Sequence, residues 1–105
     1  MAWIVLVAAG LMEIAFATAL KHSAGLTRVW PAALAASSGI VSFVMLAWSL
    51  RHLPIGTAYA VWVGIGVVGV AATGIVALNE PASPLRLCFL VLIVIGVIGL
   101  RVIDG

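Results

Sequence analysis

Gly10-Leu11-Met12-Glu13-Ile14-Ala15-Phe16-Ala17 sets one carboxylate in the middle of an apolar run from Ala2 to Leu20. At about 1.5 Å of rise per helical residue, Glu13 falls roughly 15 Å beyond Trp3. That depth is close to the midplane of a hydrocarbon layer about 30 Å thick. Insertion scales charge roughly 2.5 to 3.5 kcal/mol for an acid there, so an intramembrane Glu marks a candidate functional site. The run around it implies an all-α integral membrane protein.

Composition agrees with that reading. Apolar residues make up 66 % of the chain, well above the roughly half found in soluble domains. The 105 residues accommodate four spans of about 20 each and almost no loop. A single four-helix transmembrane domain over 1–105 is expected, with helices at about 2–20, 31–50, 55–78 and 84–103. The opening Met1-Ala2-Trp3 lacks the basic stretch of a secretory signal, so the first span is expected to be retained. Pro31 and Pro84 suit first helical positions, where an amide hydrogen has no partner to lose, and Ser83 suits the N-cap before Pro84. Cys88 is the single cysteine, which excludes an intrachain disulfide and suggests no metal cluster. No metal, cofactor or nucleic-acid partner is expected.

Helical periodicity sorts the side chains by face. Leu6, Gly10, Glu13, Ala17 and Leu20 recur at steps of three and four on the first helix, with Phe16 beside them. Ala35, Ser38, Ser42, Met45 and Ser49 do so on the second, and Tyr59, Trp62, Gly66, Gly69 and Thr73 on the third. The fourth offers only Val, Leu, Ile, Cys88 and the glycines Gly96 and Gly99. The first three helices therefore line a site and the fourth packs. Small residues let helices approach closely in lipid, and two readings stand for Gly96 and Gly99, a contact between subunits or packing within one.

Four such helices enclose little, so a closed cavity calls for a homodimer. Lys and Arg in short loops set orientation. Arg51 and Arg101 lie on one side, Lys21, Arg28 and Arg86 on the other. Two against three is almost no bias, so the chain is expected to insert both ways. The resulting antiparallel, dual-topology homodimer resembles the inverted repeats of secondary transporters. A parallel dimer with weak topology control is the competing arrangement. In the antiparallel form two copies of Glu13 meet near the midplane, where they titrate as a coupled pair that holds protons or a cation. Competition between the two for one site is antiport. Tyr59 and Trp62 supply π faces for a cation, and the hydroxyls of Ser42 and Tyr59 are expected to donate to the carboxylate.

The chain resembles the small multidrug resistance family over essentially its whole length. The stretches that carry the resemblance are Glu13, Lys21-x-Ser23-x-Gly25-x-Thr27-Arg28 with Pro31, Pro54-Ile55-Gly56-Thr57-Ala58-Tyr59-Ala60-Val61-Trp62-Val63-Gly64-Ile65-Gly66, and Gly74-Ile75-Val76 with Glu80. Pro84-Leu85-Arg86-Leu87 and Ile98-Gly99-Leu100-Arg101 look most like its guanidinium exporter branch. The resemblance implies a multi-pass protein of the bacterial inner membrane, an antiparallel dimer with alternating access, and export of guanidinium or small guanidinyl cations in exchange for protons. It implies substrate and proton binding by Glu13, with Gly10, Ser42, Tyr59 and Trp62 around it. Phe16 stands where that branch commonly has Trp, and Val63 where it has Thr or Ser. With one N–H donor fewer at the edge of the site, relaxed selectivity among substituted ions is expected.

Two further readings stand beside this one. A broader exporter of quaternary ammonium or hydrophobic cations needs only charge and aromatic surface. A non-transporting membrane subunit would pair Glu13 with a basic partner helix. An enzyme is not expected, because no nucleophile has a base beside it.

Overall fold

In lipid every backbone N–H and C=O must find its partner within the spanning segment, which turns an apolar run into a helix. The computed structural model describes residues 1–104. Gly105, the last residue of the expected domain, lies outside the described residues. Four helices follow one another, α1 (Ala2–His22), α2 (Val29–Ser49), α3 (Ile55–Ala77) and α4 (Pro84–Asp104). All four are long and apolar enough to cross a membrane. α1 runs two residues past Leu20, to His22, and α2 starts two residues before Pro31, at Val29. Ser83 Oγ accepts the Arg86 amide hydrogen at 3.1 Å, the bond expected of an N-cap.

The first connection is held by one residue. Ser23 is fully buried, its hydroxyl donates to the Leu20 carbonyl at 2.7 Å, and its Oγ accepts the Leu26 amide hydrogen at 3.0 Å. Its own carbonyl accepts from the amides of Thr27 and Arg28. These bonds hold Ala24, Gly25 and Leu26 at positive φ, a region that costs residues with a Cβ and not glycine.

α1 is the central helix, packed against both α2 and α3, while α4 lies along α3 alone. The α1–α3 seam is close because small residues line it. A Cβ at Gly10 would stand 2.7 Å from Ile65 Cγ2, and one at Gly69 would overlap Ile14. Gly64, on another face of α3, receives Val97 of α4. The end of α4 is tied back to α1 by Arg101, whose guanidinium carbon sits 4.9 Å from the centre of the Trp3 ring. Among the described residues none of α4 is buried. A Cβ at Gly96 or Gly99 would meet nothing within 4 Å, so these two glycines serve no packing within the chain.

The Cα trace measures 41 × 35 × 17 Å. At interaxial spacings of about 8–10 Å, the short dimension is no more than two helices deep. One chain is thus a slab, with Ile4, Leu34, Val44, Phe89 and Ile95 among its many exposed apolar side chains.

Candidate functional site

Glu13 lies just past the centre of α1 and is half-buried. It leans on α3 where that helix has no side chain. A Cβ at Gly66 would come within 2.8 Å of Glu13 Cγ. The carboxylate opens into a cleft of about 380 Å³ between α1 and α3, whose walls include Ala17, Val63, Val67 and Val70. Among the described residues no hydrogen-bond donor reaches it. An acid among apolar walls, with bare backbone beneath it and no donor upon it, is equipped to take a proton or a cation from outside the chain. Gly66→Ala is expected to displace the carboxylate by crowding its Cγ. A misplacement approaching 1 Å should weaken binding of a proton or cation there on the order of ten- to a hundredfold. Unchanged cation binding in that variant would show that the seat is not needed.

Ser42, Trp62 and Ala9 form a buried relay that joins three helices. The Trp62 indole N–H donates to Ser42 Oγ at 2.9 Å, and the Ser42 hydroxyl donates to the Ala9 carbonyl at 2.8 Å. The expected bond from Ser42 to the Glu13 carboxylate is therefore replaced by one to the α1 backbone. The reason is proximity, since Ser42 and Ala9 face each other across the α1–α2 seam while Glu13 turns toward α3. The expected bond from the Tyr59 hydroxyl to that carboxylate is not formed either, because the Tyr59 ring packs on Trp62. Ser42→Ala would leave the Trp62 N–H and the Ala9 carbonyl without these partners. It should cost about 1–3 kcal/mol of stability, read as a lower denaturation midpoint in detergent micelles.

The remaining site residues spread around this relay. Tyr59 is 53 % exposed and Trp62 only 5 %. Their ring centres are 5.4 Å apart and tilted by 54°. Phe43 extends the row, 5.3 Å from Trp62 at 49°. It escaped the sequence reading because it is out of phase with the serine stripe of α2. Gly10 is covered by Ile65 and acts through helix approach. Phe16 turns to α2, where a Cβ at Gly39 would stand 2.9 Å from its Cδ1, so it adjoins Glu13 in sequence but packs on a different helix. Two further residues join the Glu13 cleft instead, Glu80 of the third connection and Arg86 of the first turn of α4. The Arg86 guanidinium Nη2 lies 3.2 Å from Glu80 Oε1. Glu80 reads as a turn residue and Arg86 as part of the fourth helix, and nothing in their spacing links them to Glu13.

The sequence has close relatives. Residues 1–93 match the family model described as Small Multidrug Resistance protein. A protein of Escherichia coli (strain K12) named guanidinium exporter is 54 % identical over 101 residues, covering 96 % of each chain. Proteins of the same name from Citrobacter freundii and Salmonella typhimurium are 55 % identical over the same length and coverage.

Proposed function

The chain belongs to the Small Multidrug Resistance family and is a multi-pass membrane protein, and from that premise we propose that it exports guanidinium or small guanidinyl cations in exchange for protons. Its relatives are named as exporters and not as enzymes. Two copies, inserted in opposite orientations in the bacterial inner membrane, form an antiparallel homodimer. The slab shape of one chain and the near balance of Lys and Arg between its two sides support that assembly. A single four-helix domain, 1–105, is the repeating unit.

The observation that carries the reading is the Glu13 carboxylate, unpartnered among the described residues and facing an apolar cleft. A guanidinium ion is planar and presents its N–H donors in fixed directions, so it pairs with a carboxylate through two parallel hydrogen bonds. It binds as the proton leaves, and a returning proton releases it. Alternating access of the two membrane faces turns that competition into antiport. Tyr59 and Trp62 offer π faces to the cation. The Trp62 N–H is engaged by Ser42, so its contribution is the ring face, and Ser42 acts by holding that ring. Gly10 sets the α1–α3 approach, and Phe16 acts on the site through its packing against Gly39.

The row formed by Tyr59, Trp62 and Phe43 favours a second reading, the export of quaternary ammonium or other hydrophobic cations. Proteoliposomes with an interior more acidic than the bath separate the two. Guanidinium should accumulate inside, driven by proton efflux, and tetraethylammonium should not. Preference for tetraethylammonium would establish the second reading, and guanidinium uptake indifferent to the gradient would remove proton coupling.

A further inference from the structure

The cleft that holds Glu13 holds a second carboxylate. Glu80 lies against bare backbone as Glu13 does, because a Cβ at Gly74 would stand 2.8 Å from its carboxyl carbon. Gly66 and Gly74 are eight residues apart on α3, so the two carboxylates are seated about 12 Å apart along the helix axis. Between them the cleft wall is apolar, formed by Val67, Val70 and Ala71. A hydrated cation that leaves the aqueous side for Glu13 crosses this wall without another polar side chain to replace its water.

Glu80 already holds a group of the proposed substrate's chemistry. Arg86 Nη2 donates to Glu80 Oε1 at 3.2 Å, while its Nη1 donates to the Pro81 carbonyl at 3.1 Å. The guanidinium is thus shared between two acceptors and meets the carboxylate through one oxygen. The two side chains are 39 % and 40 % exposed, and an ion pair that open to water is weak. A free guanidinium that binds both carboxylate oxygens has the better geometry.

We propose that Glu80 is a second guanidinium station at the mouth of the Glu13 cleft, and that Arg86 is the in-chain guanidinium the substrate replaces there. The proposal rests on guanidinium export as the function. Arg86 then has two effects. It occupies the station when no substrate is present, and once displaced it adds a positive charge that opposes return of the ion. The Glu80 amide hydrogen is bound by the Gly74 carbonyl at 3.0 Å, which fixes the station to the end of α3 whichever guanidinium occupies it.

The test measures guanidinium uptake against concentration in proteoliposomes of the full-length protein, unmodified and as Glu80→Gln or Arg86→Gln. Loss of the station should raise KM by about tenfold, the value of one charge-assisted hydrogen bond. Freeing the station by Arg86→Gln should lower KM several-fold. In both variants KM should move more than kcat. The opposite signs are the decisive readout, because an ion pair that merely braces the loop is broken equally by either substitution. Shifts in the same direction, or none, overturn the second station while leaving guanidinium export intact. No guanidinium uptake by the unmodified protein overturns the function and this proposal with it.

Discussion

Glu13→Gln should abolish proton-coupled cation transport and leave the protein assembled. The amide is nearly isosteric with the carboxylate, so the packing over Gly66 is retained. What is lost is the negative charge and the proposed site of proton binding. No other acid lies inside α1, α2 or α3, and Glu80, seated about 12 Å away along α3 and paired with Arg86, does not replace it at the midplane. Size-exclusion chromatography should show an unchanged oligomer, and pH-driven guanidinium uptake should fall to that of empty liposomes. Uptake at the unmodified rate would mean that the coupling site lies elsewhere.

The other large effect concerns orientation. The loop at 23–28 lies on the side that carries Lys21, Arg28 and Arg86, opposite Arg51 and Arg101. Two added Lys residues there change the balance from three against two to five against two, and such an excess fixes insertion with that side in the cytoplasm. If the working unit is the proposed antiparallel dimer, this chain alone should lose activity. Co-expression with a chain carrying four added Lys residues at 50–54, six against three in the other sense, should restore it. In the unmodified protein, after replacement of Cys88, which is exposed on the outer face of α4, a cysteine at the C-terminus should label from both sides of the membrane. One-sided labelling would remove the antiparallel arrangement.

Much of this was legible in the residues, for reasons that differ from element to element. The four helices follow from apolar runs of spanning length, and the face of each from its three-four period. Leu6, Ser42, Ser49, Trp62 and Gly66 are buried where those stripes place them. A period gives the face of a helix but not the neighbour that covers it. Phe16 lies beside the stripe that holds Glu13, yet Phe16 meets Gly39 of α2 and Glu13 meets Gly66 of α3. The Ser42 hydroxyl has one proton to give, and three-dimensional proximity assigns it to Ala9. Glu80 enters the Glu13 cleft because the 78–83 connection folds back over Gly74, and Arg86 of α4 follows it as its ion-pair partner; the spacing of the two charges carries no sign of that return in one dimension. Gly66 reads as part of the site-lining stripe of the third helix and Gly74 as part of a motif near Glu80, but only the fold shows that each seats a carboxylate side chain.

The central claim is that proton and guanidinium compete for Glu13. The direct measurement is proton release on binding, followed with a pH indicator in weakly buffered detergent solution as guanidinium is added to the purified protein. The unmodified protein should release protons in step with saturation by guanidinium, and Glu13→Gln should release none. Saturable guanidinium binding with no proton release, or the same release from Glu13→Gln, would contradict the account.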